Sequence, residues 1–312
     1  MQNPSLTRVF RAPQVRAAVV SVVAGIAILV LKFGAYLLTG SVGILSDAAE
    51  SVVNVIAANV ALVSLVVAVR PPDEGHPYGH GKAEYVSGIT EGSLIVLAGA
   101  WVLVTAVLRL LNPASLRNLD AGLIVLAVAA TANYLTARFL LRVSADADSM
   151  ALEADARHLL ADVLTTVAVF AGLGLVWLTR VPWLDPVVGI LVSLHILGMG
   201  LGVYRRSLGG LMDTSLPAAE EATIKAILDA HRDEIVDYHA FRARKAGSRR
   251  FIDLHLVLHR TMTVGQSHAL TDHLEDHIKA ELPGTDITIH VEPCGASCAR
   301  CAAIEAESKT PA

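Results

Sequence analysis

Residues 42–69 read VGILSDAAESVVNVIAANVALVSLVVAV. About 20 apolar residues suffice to cross roughly 30 Å of hydrocarbon as a helix, and this run exceeds that length. Its polar residues are not scattered: Asp47, Glu50, Ser51 and Asn54 follow one another at helical spacings of three and four, which stacks them on one face. A charged group inside a bilayer costs roughly 2.5–3.5 kcal/mol on insertion scales, so acids placed this way mark a task rather than a surface. A second run repeats the pattern, since residues 153–162 read EADARHLLAD and place Asp155, His158 and Asp162 at the same spacings ahead of another apolar stretch.

Composition supports the membrane reading. The chain has 312 residues, 54% hydrophobic and 17% charged, with a mean hydropathy of +0.54, outside the range of ordinary soluble domains. Nearly all the apolar content precedes about residue 210, whereas Pro217 to Ala312 is rich in His, Asp, Glu, Lys and Arg. One domain in lipid and one in water follow. A net charge of −4 with no dense Lys/Arg run excludes nucleic acid as a partner. Cysteine is confined to Cys294, Cys298 and Cys301, so no disulfide framework is implied, in keeping with a reducing compartment. Arg8, Arg11 and Arg16 precede an apolar run too long for a signal-peptide core, and it reads as the first span.

Six segments meet the length requirement: Ala17–Leu38, Val42–Val69, Tyr85–Leu111, Ala121–Leu141, His158–Leu178 and Val187–Tyr204. The loop Arg70–Lys82 holds Pro71, Pro72, Pro77 and three glycines, which no helix interior tolerates together. The N-terminal arginines, Arg70/Lys82, Arg138/Arg142 and Arg205/Arg206 fall on one side and only Arg117 and Arg180 on the other. The positive-inside rule then predicts that both termini are cytoplasmic. The polar remainder is predicted as helix 218–231, strands 237–244 and 250–259, helix 264–282 and strand 286–292, a ferredoxin-like αββαβ sandwich with its helices on one face of a three-stranded sheet. About 80 residues make a small core, which dimerisation would help. The expected division is a six-helix transmembrane domain over residues 1–212, a soluble metal-binding and dimerisation domain over 213–293, and a disordered Cys-containing tail over 294–312.

Facing each other, Glu50 and Asn54 on the second span and His158 and Asp162 on the fifth offer four ligands, the number a tetrahedral divalent cation requires. Asp47 is the reserve for the fourth position. The bland alternative is polar glue between helices, but two matched pairs containing carboxylates call for a cation. Glu91, Asn133 and His195 lack such partners and read as packing or pore-lining residues. Lys32 either snorkels or pairs with a carboxylate.

The combination of Asp47, Glu50 and Asn54, then DEGHPYGHGKAE at 73–84, HLLAD at 158–162 and EPC at 292–294 resembles the cation diffusion facilitator family over nearly the whole chain. The resemblance implies that Glu50, Asn54, His158 and Asp162 form the transport site. It implies a loop metal site at Asp73, His76 and His80, for which two solvated histidines in a turn are the alternative. It also implies a charge interlock between Lys82 and Asp213, and a metal site in the soluble domain built from His239, His255, His268, His290 and Glu292 near a homodimer interface. Histidines on strands and a helix suit Zn²⁺ or a similar ion, here a regulatory ligand. His231, His259, His273 and His277 have no counterpart and read as solvated. Glu50 and Asn54 stand where many zinc-carrying members have His or Asp, and the C-x3-C-x2-C tail holds a soft metal or is simply reduced.

The function expected is export of a divalent cation of the Zn, Fe, Co, Mn, Ni or Cd class by proton-coupled antiport across a bacterial inner membrane. Capture requires a neutral His158 and ionised carboxylates, so it releases protons. An intramembrane metallopeptidase would need a motif such as H-E-x-x-H, which is absent, and no enzyme activity is expected. A membrane metal sensor that moves nothing is the rival reading, although it needs no ligands at mid-membrane.

Overall fold

The computed structural model describes residues 9, 11–39, 42–111, 120–181, 183–295 and 298, with backbone alone at 38–39, 42–47, 49–50, 120–123, 169, 173, 176–177 and 185. The chain divides into two compact units, Met1–Leu211 and Met212–Ala312.

Among the described residues the first unit contains six long helices: α1 Pro13–Thr39, α2 Val42–Ala68, α3 Ala83–Leu111, α4 Asp120–Ala147, α5 Met150–Thr179 and α6 Leu184–Leu211. Every helix turns large apolar side chains outward, among them Val23 (60% exposed), Val63 (62%), Trp101 (74%), Ile124 (69%), Leu178 (74%) and Leu191 (63%). Water would penalise that surface on all sides, and lipid does not. Five helices contain described windows long and apolar enough to cross a membrane. The sixth, α5, carries Asp155, His158 and Asp162 in its first half. The helices outrun the expected spans at the α4–α5 connection, where α4 continues to Ala147 and α5 begins at Met150. Hydropathy marks the lipid boundary, whereas the helix persists as long as its backbone bonds are met. Ser144 Oγ donates to Ser149 O (2.9 Å), and Ser149 N–H donates to Ser144 O (3.0 Å), closing the turn within two residues.

Small residues set how closely the helices approach. The most extensive contact joins α3 and α6, and it runs along a buried stripe of Glu84, Ser87, Gly88, Glu91, Gly92, Ile95 and Gly99. A Cβ at Gly92 would lie 2.6 Å from the backbone nitrogen of Tyr204, and one at Gly88 would lie 2.1 Å from Ser207 Oγ. Gly88-x3-Gly92 therefore lets two backbones meet, as small-residue pairs do between membrane helices.

The second unit is α7 Ala218–Ala230, β1 Asp237–Ala246, β2 Arg249–Leu258, α8 Val264–Glu281 and β3 Thr285–Pro293, within a residue or two of the elements expected. The sheet order is β1-β2-β3, with β1/β2 antiparallel and β2/β3 parallel. Ile252, Leu254, Leu256 and Leu258 of β2 pack with Ile224 and Leu228 of α7 and Leu270, Leu274 and Ile278 of α8. Strand alternation sends Asp253, His255 and Val257 to the other face. Thr263 opens α8 with a capping box to Gln266, and Arg250 of β2 grips Glu220 of α7 through two bonds of 2.8 and 2.7 Å. Cys294 is buried (6% exposed) and donates its N–H to Leu258 O at 2.9 Å. Cys301 lies outside the described residues.

Gly92→Ala should overpack α3 against the Tyr204 backbone and cost about 1–3 kcal/mol. Gly198→Ala, on α6 with open space around it, should leave stability unchanged. Thermal melting of the two variants in detergent is the comparison, and equal midpoints would remove the close-approach argument.

Candidate functional site

The start of α5 is fixed by a buried carboxylate. Glu84, 3% exposed, accepts from Ser149 Oγ at 2.6 Å and from the backbone N–H of Ala151 at 3.2 Å. The first N–H groups of a helix have no partner within it, and the N-terminus favours negative charge. Glu84 of α3 thus anchors the helix that carries Asp155, His158 and Asp162. Leu152 N–H reaches Ser149 Oγ at 3.4 Å, completing the cap.

One to three turns further along α5 the polar side chains converge. His158 Nε2 lies 2.9 Å from Asn54 Oδ1, and the Asn54 amide nitrogen donates to Asp162 Oδ2. On the other side of the ring, His158 Nδ1 is 3.1 Å from Glu91 Oε2. That approach is close enough for an ion pair but not aligned as a hydrogen bond, and both Glu91 oxygens lack a hydrogen-bond partner among the described residues. Glu91, His158, Asn54 and Asp162 therefore form one chain across α3, α5 and α2. His158 is 5% exposed, Glu91 0% and Asp155 2%, while Asn54 and Asp162 are half-buried.

Three of the four expected transport ligands, Asn54, His158 and Asp162, thus meet. The side chains of Glu50 and Asp47 lie outside the described residues. Glu91, read from sequence as a packing or pore-lining residue, is fully buried with one carboxylate oxygen 3.1 Å from the His158 ring. The signal for it was present: Glu91 falls within the Gly88-x3-Gly92 stripe, and a carboxylate on a small-residue face points to a neighbouring helix. Lys32 is buried within the bundle, at 6% exposed.

Two further groups could each hold a metal ion. In the loop after α2, His76 Nδ1 is 3.2 Å from Asp73 Oδ1, His80 Nε2 is 3.3 Å from Asp73 Oδ2, and the two rings are 4.4 Å apart. The His76 backbone N–H donates to the Asp73 carboxylate and holds its pKa below the ordinary value, so an anion is ready for a cation. In the soluble unit, strand register places His239, His255 and His290 side by side across β1, β2 and β3. Their rings are 5.2 and 4.8 Å apart in succession. Glu292 accepts from His255 Nδ1 at 2.8 Å and lies 3.4 Å from His239 Nε2. With Nδ1 so engaged, His255 Nε2 is left for an ion. His290 Nε2 is 3.8 Å from Glu292. His268 faces Asp272 on its own helix at 3.5 Å and stands outside the converging group. Lys82 donates to Leu211 O at 3.3 Å, and Asp213 pairs with Arg244 at 3.1 Å.

The family model for the cation efflux transmembrane domain matches residues 18–212, and that for the cation efflux protein cytoplasmic domain matches residues 216–294. The chain belongs to the cation diffusion facilitator family. It is a membrane transporter of the cation-efflux class, with the helical domain and small sheet domain that the family combines. An uncharacterized transporter of Synechocystis sp. is 41% identical over 88% of this chain and 89% of its own length. The cation-efflux pump FieF of Pectobacterium atrosepticum is 30% identical over 94% of this chain and 96% of its own length. A solved structure of the zinc-transporter candidate CzrB in its Zn form is 37% identical, covers 26% of this chain and 93% of that one, and has a TM-score of 0.25.

Removing Glu84 would strand a buried hydroxyl and a buried N–H at the start of α5, at a cost of about 1–3 kcal/mol per group. Glu84→Ala should therefore lower the melting midpoint of the transporter and slow metal flux without touching the ion, and Glu84→Gln, which keeps an acceptor, should lose less. Equal losses in the two variants would mean that the anchor is charge rather than hydrogen bonding.

Proposed function

We propose that this transporter is a proton-coupled antiporter that exports divalent transition-metal cations, acting as a homodimer in a bacterial inner membrane with both termini in the cytoplasm. The observation that carries the reading is the chain Glu91–His158–Asn54–Asp162 among apolar helices. With the Asn54 amide nitrogen committed to Asp162, its oxygen is an acceptor toward His158 Nε2, and the Glu91 carboxylate stands 3.1 Å from Nδ1 as an ion-pair partner. Nε2 therefore carries a proton at rest, which it donates to the Asn54 oxygen. Metal binding needs the Nε2 lone pair, so cation and proton compete for the same atom. Once Nε2 gives up its proton, Glu91 keeps Nδ1–H in place and fixes the tautomer that presents Nε2 to the ion.

Transport then alternates the exposure of this site. From the cytoplasmic side Asn54, His158, Asp162 and Glu50 would take the cation and release a proton. On the opposite side the larger proton supply would recharge His158 and expel the ion. The name of FieF, a cation-efflux pump, supports the outward direction. Among the candidate ligands Glu50 and Asp162 contribute −2, which matches a divalent ion, while the Glu91 charge stays against the His158 ring. Zn, Fe, Co, Mn, Ni and Cd all fall within this chemistry.

The soluble site at His239, His255, His290 and Glu292 we assign to regulation, His268 standing apart from it within the chain, and the loop site at Asp73, His76 and His80 to capture at the membrane surface. Lys82 and Asp213 would tie the loop to the soluble domain. A semi-exposed pair is worth at most about 1 kcal/mol, so its role is geometry rather than stability. A metal sensor that transports nothing would have no use for the buried chain.

In proteoliposomes with an imposed pH gradient, wild-type protein should move zinc against its own gradient, and His158→Ala or Asp162→Ala should abolish flux while leaving insertion intact. Glu91→Leu should raise the half-saturating metal concentration by about 10–100-fold, the usual cost of losing the partner of a ligating histidine. Flux that ignores the pH gradient would sink the antiport. No flux at all from the wild type would favour the sensor.

Asn54 is the site position where a neutral amide replaces a charge, and an amide oxygen is a weaker and harder ligand than carboxylate or imidazole. Asn54→Asp should shift competitive flux toward Zn²⁺ and Cd²⁺ over Fe²⁺, Co²⁺ and Mn²⁺, whereas Asn54→Leu should weaken every ion. An unchanged selectivity ratio in both variants would move Asn54 out of the coordination sphere and leave Asp47 as the fourth ligand.

A further inference from the structure

Three histidines outside every site described above meet on the helical layer of the soluble unit. His231 caps the C-terminal end of α7, and His273 and His277 stand at i and i+4 on α8. Ring centroids are 5.3 Å apart for His231–His273, 5.7 Å for His231–His277 and 6.4 Å for His273–His277. Three imidazoles ligating one tetrahedral zinc at about 2.0–2.1 Å have centroids about 5.2 Å apart, once about 1.2 Å from nitrogen to ring centre is added. Two of the three separations already stand within half an ångström of that value. The ring nitrogens do not yet converge on one point, and rotation of the exposed His273 and His277 side chains is what would bring them onto one ion.

The ring orientation of the half-buried member is already set. His231 Nδ1 lies 2.8 Å from the backbone oxygen of Ile227, to which it can only donate. Nδ1 therefore carries the proton and Nε2 carries the lone pair, the arrangement in which a metal-ligating histidine is held by its second nitrogen. The pair at i and i+4 is the helical spacing that lets two histidines reach one ion. We infer that His231, His273 and His277 form a separate zinc site, open at its fourth position to water, that staples the C-terminal end of α7 to α8. It is independent of the His239–His255–Glu292 group, because β2 sends Leu254 and Leu256 to the helices and His255, between them, to the opposite face. Imidazole donors without thiolate suit Zn²⁺, with Co²⁺ and Ni²⁺ as substitutes.

The test is zinc equilibrium dialysis on the tag-free full-length protein in detergent, comparing wild type with His231→Ala, His273→Ala, His277→Gln and the control His259→Ala. Each of the three cluster variants should bind one zinc ion fewer per chain, or bind it at least about tenfold more weakly. His259→Ala should keep the full complement. Cobalt absorption should change in the same three variants and not in the control. A full zinc complement in any cluster variant overturns the shared site, as does an equal loss in His259→Ala. Flux through the membrane helices is not the readout, so failure here and failure of the antiport reading are separable.

Discussion

A carboxylate with no water around it must find a cation, a proton or a donor, and the transmembrane unit is organised around that requirement. Glu91 is fully buried, His158 nearly so, and the two meet at 3.1 Å between α3 and α5. Asn54 of α2 then links His158 to Asp162. Pairs held this way in low dielectric are costly to form and costlier to break. That asymmetry would suit a carrier, because a divalent ion entering the chain would exchange one set of partners for another. The interaction also fixes how the helices stand: Glu84 anchors the start of α5, Gly88 and Gly92 bring α6 against α3, and both place Glu91 at the ring.

The soluble unit answers the same requirement in water. There the candidate ligands are exposed or half-buried and their positions come from strand register. His239, His255 and His290 are lateral neighbours in three strands, so a one-residue slip in either pairing would send a histidine into the core. An irregularity between His239 and Arg242, with Ala240 at φ 50, re-aims the end of β1 beside this row. Glu292, two residues beyond His290 on the same face, closes the group.

Much of this was legible in the sequence, for reasons that differ between the two units. Apolar length and i,i+4 spacing located the helices and brought Asn54, His158 and Asp162 together, because a helix face is fixed by arithmetic. Period-two alternation in residues 252–258 located β2 and its half-buried His255. The contact of Glu91 with His158 went unread because the two lie on different helices, 67 residues apart in sequence, and only the small-residue stripe hinted at a neighbour. The Glu84 anchor escaped for the same reason. The cluster at His231, His273 and His277 escaped because its third member comes from the end of a different helix.

The glycine stripe on α3 has a consequence for how such a transporter can diverge. Where the backbone of Tyr204 presses on Gly92, a larger residue at that position would meet main chain rather than a yielding side chain. The α3–α6 seam is therefore closed to substitution, and Glu91 between its glycines is held with it. Asn54, half-buried on α2, meets side chains of α5. Change at Asn54 is therefore taken up by side chains, whereas change at Gly92 would have to move a helix.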